Sequence, residues 1–378
     1  MIPTYRPCLG PDELRAVSSV FDSRWLGMGE VAQRFEQRLA EFLGARHVVA
    51  VGHGTSALHL ALDALEIGPG DEVIVPSLTF VATVQAIRTA GATPVFCEVR
   101  PETLNLDIAD ALERITSRTC AILPVHFGGL PCDMDPLLEE ARQRNIHVIE
   151  DAAHAFGAHY HGRKVGTLGD LTCFSFDAIK NITCGEGGAV ATEDDALAGC
   201  IARRRKLGIE TQDHAGDPAE ANWQYHVLTH GFRYHLPDIN AAIGLVQLEK
   251  FPAFQQRKRE IVSRYDEAFA DLPALETLEH DLKGTCPWAY VVKIPGDRRD
   301  AFREHLRRQG IATLIQFIPN HLQPAFASFR TDLPVTERLF RQIASLPLYV
   351  EMTDADVDAV IRAVCSFVGV PARMAAAC

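Results

Sequence analysis

Lys180 stands in CFSFDAIKNITCGEGGAV (173–190), between an alternating apolar run and the glycines 185, 187 and 188. A free lysine amine, with a pKa near about 10.4, is a poor nucleophile at neutral pH. Loss of water or a neighbouring cation depresses that value and frees the amine to form an imine with an aldehyde. In VIEDAAHAFGA (148–158), Glu150 and Asp151 follow an apolar strand-like run, so a carboxylate is expected at a strand end. In VGHGTSALH (51–59), Gly52 and Gly54 precede a helical pattern opening near Thr55 and Ser56. The free amides of a helix start, two hydroxyls and the positive end of the macrodipole suit a phosphate. Each feature has a plainer explanation: a surface lysine, an N-cap aspartate before Ala152 and Ala153, and a Gly-Thr-Ser helix cap.

Together they narrow the chemistry. A phosphate cup, an acid for a ring nitrogen and an aldehyde-capturing lysine are what pyridoxal 5′-phosphate (PLP) requires, with the acid keeping the ring protonated as an electron sink. Ser175 could add a hydroxyl to the phosphate. Phe80, just after a strand-like run, could stack on the ring, although a core role is the default for such an aromatic.

These residues need elements to hold them. TSALHLALDALEIG (55–68) places Leu58, Leu62 and Leu65 on one helical face, and DEVIVPS (71–77) reads as a buried strand. Helices are expected over 79–91, 107–115 and 135–144. Strands are expected over 93–99, 120–126, 146–150, 171–176 and 187–192. Such alternation implies a largely parallel sheet covered by helices on both faces, and ligands of such sheets settle at the carboxyl ends of the strands. After residue 237 the rhythm changes to one long helical pattern, interrupted near Pro252. Strands over 288–295 and 311–317 and helices over 298–309 and 354–368 follow, a smaller α/β unit. We therefore expect a large domain over 14–245 and a small one over 246–378, with residues 1–13 packed on the latter.

The composition excludes several classes. At 47% hydrophobic and 23% charged, 378 residues suffice for two cores. A net charge of −12 argues against nucleic acid, and the one basic run, RRRK (203–206), reads as a solvated helix face. The ten cysteines contain no CxxC pair and read as small buried hydrophobes of a reducing compartment, with no metal site. No signal-peptide pattern or uninterrupted transmembrane length is present, so the expectation is a cytoplasmic protein with no membrane partner.

The segments GTSALHLAL, GDEVIVPSLTFVAT, GATPVFCEV, IEDAAHAFGA, FSFDAIKNITCGEGGAV, LPDINAAIGLVQLEK and ASLPL stand in an order and spacing that resemble the DegT/StrS family of PLP-dependent sugar aminotransferases. The family shares the aspartate aminotransferase fold. AIKNITCGEGG is most similar to its UDP-4-amino-4-deoxy-L-arabinose aminotransferases. The resemblance implies Lys180 as the lysine that carries the cofactor and Asp151 as partner of the ring nitrogen. It implies His154 beside the ring hydroxyl, Phe80 as the stacking ring, and Thr55, Ser56 and Ser175 at the phosphate. Where relatives carry Asn in a GYNYR-like segment, reaching the partner subunit's phosphate, this chain has Arg233 in GFRYH (231–235). A second departure is GHGTS, where many relatives have serine in place of His53.

The same resemblance implies a homodimer with shared sites. The protein would pass an amino group from an amino acid, usually L-glutamate, to a keto group of a nucleotide-linked sugar. Candidate substrate contacts are Trp25 in RWLGMG (24–29), His126 at a strand end and His321 in NHLQPAF (320–326); a loop anchor and two satisfied polar groups are the alternatives. Two other readings compete: a PLP-binding sensor without turnover, and the dehydratase branch of the fold. In that branch a histidine replaces the lysine, so Lys180 stands against it.

Overall fold

The computed structural model describes residues 1–211 and 225–369. Residues 370–378, the end of the expected small domain with Cys378, lie outside the described residues.

Helix α1 (Pro11–Ser23) begins on a proline, whose missing amide costs nothing at a helix start. Helix α2 (Glu30–Leu43) buries Ala32, Phe35, Leu39 and Leu43 along one stripe. The periodicity read from residue 44 onward leaves both unassigned. The expected alternation follows as β1 (His47–Val51), α3 (Gly54–Ala64), β2 (Glu72–Pro76), α4 (Val81–Thr89), β3 (Thr93–Cys97), α5 (Ile108–Glu113), β4 (Thr119–Ile122), α6 (Met134–Arg144) and β5 (His147–Asp151). A hairpin of β6 (His159–Tyr160) and β7 (Arg163–Lys164) precedes β8 (Leu171–Ser175), β9 (Gly188–Thr192) and α7 (Asp195–Arg204). A two-stranded ribbon, β10 (Ile209–Thr211) and β11 (Tyr225–Val227), lies beyond.

The main sheet has seven strands in the order β1-β9-β8-β5-β4-β2-β3. The pairs β2–β3, β2–β4, β4–β5 and β5–β8 are parallel. Strand β9 runs antiparallel to both β1 and β8, so the sheet is mixed at that edge. The side-chain period of two divides each strand between two layers. Ile74, Ile122, Val148 and Phe174 face one core with α2 and α6, while Val73, Val75, Ala121, Ile149 and Cys173 face the other with α3 and α4. Burial on both faces is why these strands read as continuous apolar runs.

Helix α8 (Asp238–Phe269) links this sheet to a third core. Its Ala241, Leu245, Leu248 and Phe251 pack under the sheet, and its Ile261, Val262, Tyr265 and Phe269 pack in the C-terminal core. The interruption expected at Pro252 is absent, because buried Phe251 and Phe254 seat the helix on both sides of the proline and offset its missing bond. The C-terminal unit holds β12 (Glu276–Thr277), β13 (Tyr290–Lys293), α9 (Arg299–Arg308), α10 (Pro334–Gln342), β14 (Ile343–Leu346) and α11 (Asp354–Val368), with sheet order β12-β13-β14. The strand expected over 311–317 is not formed: Ile311 bridges Ile2, Leu314 bridges Ser345, and no ladder continues. Residues 2–4 lie along this unit through Ile2 N–H to Gly310 O and Leu348 N–H to Thr4 O. Among the described residues no helix is long and apolar enough to cross a membrane.

Candidate active site

A cavity of about 380 Å³ opens at the carboxyl ends of β1, β2, β5 and β8 and is closed by the C-terminal unit. Asp151 and Lys180 both line it. A larger groove of about 830 Å³ runs beside the β6–β7 hairpin and includes neither residue.

Asp151 is the last residue of β5 and only 5% exposed. Thr83 donates its hydroxyl to Oδ2 at 2.7 Å, and the Ala153 amide donates to Oδ1 at 3.1 Å. Burial raises its pKa against these donors and the nearby Lys180 charge. Its neighbour Glu150 turns to the other face of the sheet, accepting from Thr172 Oγ1 at 2.7 Å and the Gly169 amide at 2.8 Å. The strand period therefore selects Asp151 as the cavity carboxylate.

Lys180 follows β8 on the turn before the glycine cluster, with Nζ 4.3 Å from the centroid of the Trp288 ring. Burial lowers its pKa from 10.5 to about 8, opposed by Asp151 and Asp177. The amine is thus far more often uncharged than on a surface lysine.

The rim opposite is the start of α3, with His53 as its N-cap. By helix geometry its first amides have no carbonyl to bond. Gly54 lies so close to β8 that a Cβ there would come 2.7 Å from Ser175 Cβ, so glycine lets the helix begin against that strand. Thr55 and Ser175 line the cavity. Ser56 is buried, with Oγ 3.5 Å from His53 Nδ1, and its side chain is not part of the lining. Phe80, the N-cap of α4, is 54% exposed on the cavity wall, with its ring 5.7 Å from that of Phe317; it is no core residue. His154 stacks on Trp288 at 3.7 Å with nearly parallel rings. Burial holds its pKa well below the ordinary value, and its buried Nδ1 has no hydrogen-bond partner among the described residues.

Two expected substrate residues are corrected. His126 is fully buried: Nε2 lies 2.8 Å from Glu150 Oε2, and the Cys132 amide donates to Nδ1 at 3.0 Å. An amide donor at Nδ1 puts the ring proton on Nε2, aimed at the carboxylate. His321 is also buried, with Nδ1 2.6 Å from Ser77 Oγ and Nε2 3.4 Å from Glu337. Neither lines the cavity, because both nitrogens of each ring hold protein groups together. Trp25 is 60% exposed, donates Nε1–H to Met28 O at 3.1 Å and stands outside this cavity, as does exposed Arg233.

The periodicity of the sequence does not reveal Trp288, Gln316 and Phe317, which the C-terminal unit brings to the wall. A tryptophan opening a strand-like run reads as core. Thr83 gives a fainter signal, a hydroxyl one helical turn after Phe80. The donor set of free amine, buried carboxylate, open helix start and unpartnered imidazole fits a flat anionic cofactor bearing an aldehyde.

The profile of the DegT/DnrJ/EryC1/StrS aminotransferase family matches residues 7–365. The chain is 40% identical over 374 residues to the spore coat polysaccharide biosynthesis protein SpsC of Bacillus subtilis, covering 96% of each chain. The aminotransferase TlmJ from Streptoalloteichus hindustanus superposes with a TM-score of 0.91 at 36% identity, covering 97% of this chain and 98% of that one. The PLP form of the putative sugar aminotransferase Spr1654 from Streptococcus pneumoniae gives a TM-score of 0.90 at 29% identity over the same shares. With the family's motifs in order along the chain and its fold around this cavity, the protein belongs to the DegT/DnrJ/EryC1/StrS aminotransferase family, whose enzymes depend on PLP.

Proposed function

We propose that this enzyme moves an amino group from L-glutamate to a keto group of a nucleotide-linked sugar. The observation that carries the reading is the pairing of a depressed lysine with a buried carboxylate on one cavity. When bound, PLP supplies an electron sink that stabilises negative charge at the donor's Cα. Asp151 would hold the ring nitrogen, its orientation fixed by Thr83 and the Ala153 amide. His154 would face the ring hydroxyl and Phe80 the ring. Thr55, Ser175 and the opening amides of α3 would take the phosphate, with Ser56 contributing its amide.

Lys180 has two tasks, covalent anchor and proton carrier. With a pKa of about 8, about a tenth of the amine is free at pH 7, against roughly one part in three thousand at 10.5. Nζ would take the proton from the donor's Cα and return it on the cofactor side of the new bond. The cavity volume lies near the lower end of the usual range for ligand sites, about 300–1,000 Å³. We place the nucleotide outside it, toward exposed Trp25, and assign Arg233 to the phosphate of the partner site in a homodimer.

The test is spectroscopic. The PLP-loaded enzyme should show a visible band that L-glutamate bleaches, and an amino-sugar nucleotide from a panel should bleach the same band in the reverse direction. A band that persists with every amino donor would favour a PLP-binding protein without turnover.

A further inference from the structure

Trp288 is buried among aromatic rings, yet it is part of the cavity wall. Its ring stacks on His154 at 3.7 Å and on Tyr5 at 5.0 Å, with interplanar angles of 5° and 12°. Tyr5 is held in turn by its hydroxyl, which donates to Gln316 Oε1 at 2.6 Å. The indole N–H donates to the Ile179 carbonyl at 2.9 Å. The ring is therefore tied to the backbone immediately before Lys180, and Lys180 Nζ lies 4.3 Å from its centroid. That is well inside the roughly 6 Å at which an aromatic face attracts a cation, and the attraction grows as water is excluded.

We infer that Trp288 is a positioning residue for the catalytic lysine: its indole face holds the released Lys180 amine at the cavity wall and favours the ammonium form. The inference rests on the role of Lys180 proposed above. A lysine detached from the cofactor must keep the proton it has taken until it gives that proton back, in a site where burial works against the charge. Asp151 and Asp177 attract the ammonium, and Glu186 stands on the same wall. On the other side are His154, which burial keeps neutral, and the Lys258 ammonium, bonded to Asn181 next along the chain. Asp151 is also the acid committed to the ring nitrogen. The indole attracts the cation without being a base, so it can hold the ammonium without taking its proton.

The test uses the full-length chain freed of PLP and carrying 5-fluorotryptophan, with the fluorine resonance of position 288 assigned by its loss in Trp288→Phe. That resonance should titrate with a midpoint near about 8 and cease to do so in Lys180→Met. A more heavily fluorinated indole has nearly the same volume and a poorer face for cations, and should lower the midpoint by about half a unit to one unit. A resonance indifferent to Lys180→Met, or a midpoint unmoved by fluorination, overturns the inference. The outcome is separable from the reading of Lys180 as anchor. A flat fluorine series beside a band that glutamate bleaches removes the role of Trp288 alone, whereas a visible covalent band surviving in Lys180→Ala removes the anchor.

Discussion

Lys258→Met exchanges a buried cation for an apolar chain of similar length. Lys258 lies on α8 at 5% exposure, donates to Asn181 Oδ1 at 2.9 Å, and has no carboxylate partner among the described residues. Burial lowers its pKa from 10.5 to about 8. At about 1.36 kcal/mol per pH unit, the folded chain loses about 3 kcal/mol by carrying this charge at neutral pH. Below pH 8 the lysine is charged in both folded and unfolded chains, and the folded one bears the full penalty. Between pH 8 and 10.5 the folded chain sheds the proton while the unfolded chain keeps it, so the penalty fades as pH rises. Methionine removes it at every pH but strands the Asn181 oxygen, at about 1–3 kcal/mol. The variant should thus be as stable as the parent or up to about 2 kcal/mol more stable at pH 7, and about 1–3 kcal/mol less stable near pH 10.5. Denaturant unfolding of both PLP-free chains at the two pH values reads this swing. A difference that stays constant with pH would refute the reasoning, since it would mean that folding does not perturb the lysine's charge.

Asp151→Asn keeps a side chain able to bond Thr83 and Ala153 but loses the charge. PLP affinity should fall by about tenfold or more, the worth of a charge-assisted bond, with little change in unfolding midpoint; equilibrium dialysis reads the first and denaturation the second. PLP uptake by the empty enzyme, followed at the visible band, should speed up about tenfold between pH 7 and 9 as Lys180 loses its proton, and an inflection near 10.5 would contradict a desolvated amine. His126→Phe strands a buried Glu150 oxygen and the Cys132 amide and should cost about 2–5 kcal/mol of stability while leaving the KM for the sugar unchanged. A raised KM at unaltered stability would return His126 to the substrate site.

That Lys180 and Asp151 would meet on one cavity was legible because an open α/β sheet gathers its clefts at strand ends, and both follow apolar runs whose direction the alternation with helices reveals. The same logic misplaced His126, which also follows a strand: nothing local says that Glu150 waits on the same face to occupy its ring. His321 failed likewise, since Ser77 and Glu337 reach it from distant parts of the chain. The antiparallel course of β9 could have been inferred from its link to β8, which holds no helix to carry a parallel crossover. The apolar run over 311–317 has the period of a strand, but a ladder needs a free neighbour. Here β14 meets it only at Leu314, and its remaining partner is the N-terminal residue Ile2. Trp288 is invisible for a different reason: its significance lies in where the C-terminal unit sits against β8, a relation that no short stretch of sequence contains.

The central claim is that Lys180, set across one cavity from Asp151, is the residue that binds PLP covalently. Borohydride reduction of the loaded enzyme, followed by proteolysis and mass spectrometry of the peptides, tests it most directly. The account predicts a single pyridoxyl-phosphate adduct on Lys180, absent from Lys180→Ala. An adduct on Lys164, Lys258 or any other amine, with Lys180 unmodified, would contradict it.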